Sequence, residues 1–178
     1  MDPEETGTNA ERAKEAADRL FPDEKWIKVE DGIFLSPNRA IGKRTNYGEE
    51  LRNARLLRDL GSTIYLTPEP RSGTGKKYDA IVNGLIFEFK NVGGNTSTLE
   101  KQFLRSRSQA PNVFLNMENS PLSRRKIMST LYGARNRQGT SRRHGYDQYN
   151  RFSGGTIILK VRGQDGLINV SVDDLKAP

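Results

Sequence analysis

An Asn83-Gly84 pair joins two predicted strands, residues 78–83 and 85–90, near the middle of this 178-residue chain. Both central positions of a type I′ turn need a positive φ, which Asn and Gly tolerate better than other residues. An Asn-Gly pair between two strand-like runs is the strongest short-range signal of a β-hairpin. The sequence therefore predicts a tight hairpin here, which makes its two strands antiparallel neighbours in any fold of this chain.

The elements on either side of this hairpin predict an α/β fold. An amphipathic helix is expected over residues 46–60, capped by Asn46 and stopped by Gly61. Apolar patterns predict further elements, a strand at 62–67, a helix at 97–109 and a strand at 113–116. Helices interleaved with strands in this order indicate a mixed central sheet flanked by helices.

The N-terminal part of the chain adds a helix and a second hairpin. The helix is expected over residues 9–20, with Asn9 as its cap, and the hairpin lies between residues 26 and 35. We interpret residues 1–40 as an N-terminal helix and hairpin extension, and residues 41–178 as one domain.

The C-terminal part continues the same alternation of elements. Pro121 is expected in the first turn of a helix over residues 121–134, because proline suits the first helical position. Two strands follow at 156–161 and 168–172.

Composition excludes several classes of protein. The chain has no cysteine and a single histidine, His144, which excludes a disulfide scaffold, a cysteine nucleophile and a multi-histidine metal site. No apolar run is long enough to span a membrane, and the acidic start is not a signal peptide. We therefore expect a cytoplasmic protein, or one that reaches a cytosol by another route.

Positive charge is concentrated in one part of the chain. The whole protein carries a net charge of +7, whereas residues 101–162 alone hold 13 basic and 2 acidic side chains. Charge of this density favours a polyanion, because each phosphate that a protein neutralises releases condensed counterions. A solvated basic face, or a site for an acidic partner protein, is the alternative interpretation.

Three side chains of the central hairpin form a candidate catalytic site. Side chains alternate across a strand, so Glu88 and Lys90 share one face while Phe89 points into the core. In a tight hairpin Asp79 lies beside Glu88, and two neighbouring carboxylates suit a hard divalent cation that activates water. Lys90 is then placed to orient that water or to stabilise the transition state. The alternative is a polar strand face with a cross-strand salt bridge.

A third carboxylate is available on the helix before the sheet. Glu50 stands one turn before Ala54, which belongs to the apolar stripe of that helix. Glu49 is the competing candidate, but its neighbour one turn further on is Asn53. We therefore expect Glu49 to face solvent more than Glu50.

A basic segment near residue 144 combines arginines with aromatic residues. Arg142, Arg143, His144 and Tyr146 suit phosphate neutralisation and stacking on unpaired bases. His144 is also a candidate general acid for a metal-independent ribonuclease. A lone histidine among arginines is more often a phosphate contact, and the aromatic side chains can also pack on the domain.

The order of these elements resembles the PD-(D/E)xK nuclease superfamily. It is more similar still to the C-terminal toxin domains of contact-dependent growth inhibition systems and related polymorphic toxins. The resemblance covers residues 46–116 and is carried by the helix from Glu50 to Gly61, by Asp79, and by Glu88-Phe89-Lys90.

This resemblance implies a restriction-endonuclease-like core and a metal-dependent nuclease that cleaves tRNA or DNA, and we favour tRNA or other RNA. Glu50, Asp79 and Glu88 would hold Mg²⁺, or Mn²⁺ or Zn²⁺, and Lys90 would be the catalytic lysine. An acidic immunity protein would cover the basic face. The residues expected to bind nucleic acid are Lys76, Lys77, Lys101, Arg105, Arg124, Arg125, Arg142, Arg143, His144 and Tyr146.

Two other functions fit the same residues. A DNA endonuclease of the restriction or junction-resolving type has the same core. A non-catalytic nucleic-acid-binding module would use the basic residues alone and leave the acidic cluster structural.

Overall fold

A computed structural model describes residues 7–39, 45–69, 78–137 and 154–176 of the chain. The chain divides into two compact units, residues 1–86 and 87–178. Their helices and strands form an α/β fold with both parallel and antiparallel pairing, as the sequence predicted. The predicted domain boundary between residues 40 and 41 stays a prediction. In the described part of the chain, no helix is long and apolar enough to cross a membrane.

The described residues of the first unit form four strands and two helices. The elements are α1 (Asn9–Leu20), β1 (Ile27–Glu30), β2 (Ile33–Leu35), α2 (Tyr47–Arg58), β3 (Ile64–Leu66) and β4 (Ala80–Val82). The strands lie in the order β1-β2-β3-β4. β2 and β3 pair in parallel, and the flanking pairs are antiparallel. The sheet is therefore mixed within this unit.

Aromatic rings and small residues fill the core of the first unit. Tyr65 of β3 stacks on Phe34 of β2 with ring centroids 4.6 Å apart, and Trp26 meets Tyr65 edge-on at 5.1 Å. Ala13 and Ala17 of α1 are fully buried in the same cluster. Their short side chains let α1 lie close to the sheet, where the larger aromatic rings pack against it.

Thr8 caps α1, so the prediction of Asn9 as the cap was wrong by one residue. The Glu11 amide donates to the Thr8 hydroxyl at 3.2 Å, and the Thr8 amide donates to the Glu11 carboxylate at 2.7 Å. This reciprocal pair is a capping box, which satisfies two backbone amides at once. Asn9 lies inside the helix and donates its side-chain amide to the Gly61 carbonyl at 3.0 Å.

The predicted turn after β4 is confirmed. Asn83 has a φ of 51° and Gly84 a φ of 92°, the positive values that a two-residue hairpin turn requires. The Asn83 carboxamide also accepts a hydrogen bond from the Thr63 amide at 2.9 Å. This bond ties the turn to the start of β3 and fixes where β4 ends.

The second unit contains the rest of the strands and two packed helices. The elements are β5 (Leu85–Asn91), which enters this unit at Phe87, α3 (Thr96–Gln109), β6 (Asn112–Met117), α4 (Arg124–Arg137), β7 (Thr156–Val161) and β8 (Ile168–Ser171), followed by a 3₁₀ turn at Val172–Asp174. The strand order is β5-β6-β7-β8, with two parallel pairs and one antiparallel pair. β6 is buried along its whole length.

α4 begins at Arg124, three residues later than the sequence predicted. The Ser123 hydroxyl accepts a hydrogen bond from the Lys126 amide at 3.3 Å, and the Ser123 carbonyl accepts one from the Ile127 amide at 2.9 Å. A serine cap therefore starts the helix, because its hydroxyl satisfies a first-turn amide. Pro121 lies before the helix and not in its first turn.

A buried arginine joins the end of α3 to the start of β7. Arg107 is 1% exposed, donates to the Pro111 carbonyl, and donates to the Gly154 carbonyl at 3.0 Å. Gly155 follows with a φ of 84°, and a Cβ at this position would lie 2.0 Å from the Pro111 oxygen. The junction therefore requires glycine both for its backbone conformation and for its space.

Gly155→Ala should destabilise the protein more than Gly163→Ala does. Both substitutions strain a backbone with positive φ, but only the one at Gly155 also creates a steric clash. We expect a loss of about 3 kcal/mol in the free energy of unfolding, since a left-handed residue and a forced displacement each cost about 1–2 kcal/mol. Gly163→Ala is the matched control, because Gly163 has a φ of 71° and no atom lies within 4 Å of the place that its Cβ would take. Urea denaturation measures both, and equal losses would contradict the packing argument.

Candidate active site

The guanidinium of Arg39 draws two of the predicted site carboxylates together. Its Nη2 lies 2.6 Å from Glu50 Oε2 and 3.3 Å from Asp79 Oδ1. Its Nε donates to the same Glu50 oxygen at 2.9 Å, and its Nη1 donates to the Thr67 carbonyl at 2.6 Å. The Arg39 side chain is 3% exposed and that of Glu50 is 13% exposed. Glu50 and Asp79 therefore belong to one largely buried ion cluster, which we call the Arg39 cluster.

The segment after β2 fixes the position of Arg39. The Ser36 amide donates to the Leu66 carbonyl at 3.0 Å, and the Arg39 amide donates to the Ser36 carbonyl at 3.1 Å. Glu24 accepts hydrogen bonds from the Ser36 hydroxyl at 2.7 Å and from the Asn38 side chain at 3.1 Å. This short turn leaves the backbone little freedom, so the guanidinium stays where the carboxylates meet.

Two further segments bring the carboxylates to Arg39. Glu50 lies in the first turn of α2, and its amide donates to the Asn46 carbonyl at 3.0 Å. Asp79 directly precedes β4, where its carbonyl accepts from the Thr67 amide at 3.0 Å. The Thr67 hydroxyl donates to the Tyr78 carbonyl at 2.6 Å. Glu49 is exposed and the Glu50 side chain is 13% exposed, so the prediction that Glu49 faces solvent more than Glu50 is confirmed.

Burial sets the electrostatics of the Arg39 cluster. Burial raises the pKa of Glu50 above its ordinary value; the charge of Arg39 opposes this rise, and Asp79 and Glu69 add to it. Burial also disfavours the charged form of Arg39, but the carboxylates of Glu50 and Asp79 outweigh it and raise the pKa of Arg39. The arginine is therefore a permanent positive charge between the two acids.

Glu88 and Lys90 of β5 form a second charged pair. The Lys90 Nζ donates to Glu88 Oε1 at 2.5 Å, which shows that the two side chains share one face of the strand, as predicted. The Glu88 side chain is 3% exposed and that of Lys90 is 25% exposed. Phe89 packs edge-on against Phe114 of β6, with ring centroids 5.7 Å apart, and is part of the predicted core.

The donor atoms of the Arg39 cluster are of the type that a divalent cation prefers. Oxygens of Glu50 and Asp79 converge on one cationic nitrogen, and hard cations choose carboxylate ligands. Arg39 thus marks a point where two carboxylates meet. Among the residues that the structure describes, no three acidic or histidine side chains are grouped as a metal site. The ligand set that adds Glu88 to Glu50 and Asp79 stays a prediction.

Four of the residues expected to bind nucleic acid lie exposed on two helices of the second unit. Lys101 and Arg105 belong to α3, and Arg124 and Arg125 begin α4. The two helices pack against each other. The other six residues expected to bind nucleic acid lie outside the described residues, namely Lys76, Lys77, Arg142, Arg143, His144 and Tyr146.

Comparison with known proteins identifies a structural likeness. No protein-family profile and no curated protein matches the chain. The fold is similar to that of a chain in the "CdiA-CT/CdiI toxin and immunity complex from Burkholderia pseudomallei", with a TM-score of 0.52 and 17% identity. The match covers 77% of this chain and 98% of that chain. At this identity the likeness shows a shared fold, and it agrees with the predicted α/β architecture.

The sequence analysis missed Arg39. A buried pair of acids needs a counter-charge, so a cation was to be expected near Glu50 and Asp79. The sequence offers several arginines, however, and no spacing distinguishes the one that follows Ser36-Pro37-Asn38. Only the parallel pairing of β2 with β3 brings this turn close to the end of β3.

Glu50→Gln should change how the stability of the protein depends on pH. Because folding raises the pKa of Glu50, the folded state holds this proton more tightly than the unfolded chain does. The Glu50 contribution to the free energy of unfolding is therefore largest below the unfolded pKa and is lost as the pH rises through the folded pKa. Urea denaturation between about pH 4 and pH 8 checks this for both proteins.

We expect the stability of the wild type, relative to Glu50→Gln, to fall as the pH rises. A relative stability that instead grew with pH would mean that the attraction of Arg39 exceeds the burial cost of the carboxylate.

Proposed function

We propose that this chain is a metal-dependent nuclease, a toxin domain of the contact-dependent growth inhibition type that cleaves tRNA. One observation carries the proposal above all: four ionisable side chains of the candidate site are buried or largely buried, namely Arg39, Glu50, Asp79 and Glu88. Burying charge costs free energy even when the charges are paired, and such clusters concentrate at functional sites. The likeness to a chain of a toxin and immunity complex supports the toxin part of the proposal.

In this proposal Glu50, Asp79 and Glu88 hold Mg²⁺ or a similar ion. In the sequence, Asp79 and Glu88 stand on either side of the Asn83-Gly84 turn. When bound, the ion supplies charge for a phosphate oxygen and lowers the pKa of a coordinated water. The protein's own contribution is to hold the carboxylates, because Glu50 and Asp79 are fixed through Arg39.

Lys90 is proposed to act on the developing charge of the transition state. Its ammonium is held by Glu88 at 2.5 Å, and a quarter of the side chain remains exposed. A positive group that is held before the reaction stabilises a pentavalent phosphate without reorganising. Glu88 in this role has two functions, since it positions Lys90 and also belongs to the proposed ligand set.

RNA is the proposed substrate, and tRNA is the favoured class. The resemblance to toxin domains and the basic, aromatic segment around Tyr146 support RNA, which proteins often bind by stacking on unpaired bases. Exposed cations on α3 and α4 support contact with a phosphate backbone.

An acidic immunity protein is the proposed partner. The fold neighbour comes from a complex of a toxin with an immunity protein. Residues 101–162 carry 13 basic side chains against 2 acidic ones, so a partner that covers them would have to be acidic. Inhibition of the cleavage reaction by such a partner is the check, and a basic or neutral inhibitor would contradict the proposed complementarity.

Glu88→Gln should abolish cleavage of tRNA by the purified chain. The substitution keeps the shape of the side chain but removes the negative charge that the proposed ion and Lys90 both require. We expect discrete tRNA fragments from the wild type with Mg²⁺, none with EDTA, and a loss of at least about a hundredfold in rate for the variant. Glu49→Gln is the matched control. Because Glu49 is exposed, this variant should retain full activity.

The same assay on plasmid DNA separates the alternatives. Cleavage of DNA and not of tRNA, with the same dependence on metal and on Glu88, would keep the site and make the protein a DNA endonuclease. Tight, salt-sensitive binding without cleavage of either would make it a binding module. Cleavage that survives EDTA would remove the metal from the proposal.

Replacing Arg124 and Arg125 together by Ala should weaken tRNA binding and flatten its salt dependence. Each phosphate contact that is lost reduces the slope of log K against log salt by about 0.7–0.9. Filter binding or fluorescence anisotropy at several salt concentrations measures the slope. Arg162→Ala is the control, since Arg162 is exposed but lies outside α3 and α4. An unchanged slope in the double variant would exclude the start of α4 from the interface.

A further inference from the structure

We propose that Arg39 is an internal counter-cation that competes with the metal ion for Glu50 and Asp79. Its guanidinium lies where the two carboxylates converge, and a divalent cation would bind by taking over these contacts. The inference rests on the proposed function, since it names a positioning residue for that same site.

The geometry shows that Arg39 satisfies the carboxylates as a cation ligand would. Glu50 Oε2 accepts from both Nε and Nη2, at 2.9 and 2.6 Å, and Asp79 Oδ1 lies 3.3 Å from the same Nη2. The two distances to Nη2 differ, so the contact with Asp79 is the weaker one. An ion that approaches from the Asp79 side would therefore replace the weaker contact first.

Burial excludes a direct role of Arg39 on the substrate. Its side chain is 3% exposed, so the guanidinium does not reach a phosphate of a bound nucleic acid. An arginine that touches no substrate influences the reaction only through the groups that it contacts. Arg39 is therefore a positioning residue, and its effect has to be visible in the properties of Glu50 and Asp79.

A separate anchor lets Arg39 give up the carboxylates without leaving its place. Its Nη1 donates to the Thr67 carbonyl at 2.6 Å, a contact that involves neither acid. The turn that carries Arg39 is held by Glu24 through Ser36 and Asn38. The guanidinium can therefore remain bonded to Thr67 while the two carboxylates turn to another cation.

The charges at the site determine how Arg39 affects the affinity for a metal ion. Two ionised carboxylates that are partly buried repel each other unless a cation lies between them, and a second cation there is repelled by the first. Removing the Arg39 charge should therefore destabilise the metal-free protein and strengthen metal binding at the same time. A merely structural ion pair would give the first effect without the second.

Arg39→Gln tests the inference, with Mn²⁺ as the probe and the full-length chain as the protein. Glutamine places a neutral amide near the position of the Arg39 Nε and removes the positive charge. We expect a lower Tm without metal, a larger rise in Tm on adding Mn²⁺ than in the wild type, and a Kd for Mn²⁺ lower by about tenfold. Calorimetric titration gives the Kd, and Arg55→Gln is the control, since Arg55 pairs with Glu30 away from the cluster.

The outcomes separate this inference from the proposed function. Equal or weaker Mn²⁺ binding by Arg39→Gln, with normal binding by the wild type, overturns the inference and leaves the metal-dependent nuclease intact. Absence of Mn²⁺ binding in both proteins, with tRNA cleavage that survives EDTA, overturns both. If Arg39→Gln does not fold, Arg39→Lys replaces it.

Arg39→Lys keeps one charge but cannot reach all three acceptors at once, because an ammonium is a single point donor. Its Kd for Mn²⁺ should fall by less than tenfold, and an unchanged or higher Kd overturns the inference.

Discussion

A guanidinium that is almost entirely buried holds together the segments on which the candidate site depends. Arg39 has acceptors from α2, from the end of β3 and from the entry to β4, namely Glu50, Thr67 and Asp79. Burying a charge without partners costs several kcal/mol, so the three segments are stable in this arrangement only together. The same contacts that stabilise the first unit therefore fix the distance between the two carboxylates.

The Glu88–Lys90 pair of the second unit also buries a charged group. Glu88 is buried next to Phe89, in a strand whose neighbour β6 is buried along its whole length. An apolar residue at position 88 would pack more favourably there, since a buried carboxylate is costly even with Lys90 as its partner. Under the proposed function, stability is exchanged for chemistry at this position, a pattern common at active sites.

Local signals made most of the fold predictable, and long-range contacts explain what was missed. The Asn83-Gly84 turn and the end of α3 depend on residues that are neighbours in sequence, so propensity and periodicity located them. α2 was predicted less well, because it ends at Arg58, two residues early, and Asn46 makes no side-chain capping hydrogen bond. The starts of α1 and α4 were misplaced because Thr8 and Ser123 offer better caps than the residues chosen. Hydroxyl caps compete within a few residues, and periodicity does not resolve that competition.

The candidate site was predicted in part. Glu50, Asp79 and the Glu88–Lys90 pair were found from chemistry and spacing, and the structure brings the members of each pair or cluster together. Arg39 was missed because its role depends on the parallel pairing of β2 with β3, which no local pattern of residues encodes. A buried counter-charge is in general the component of a site that sequence reasoning identifies last.

Diffraction from crystals of the protein soaked in Mn²⁺, recorded at a wavelength where manganese scatters anomalously, tests the central claim most directly. We predict an anomalous peak within coordination distance of Glu50, Asp79 and Glu88, with Arg39 still bonded to the Thr67 carbonyl but withdrawn from the two carboxylates. A protein that shows no peak there, and in which Arg39 keeps both carboxylates at saturating Mn²⁺, would contradict this claim.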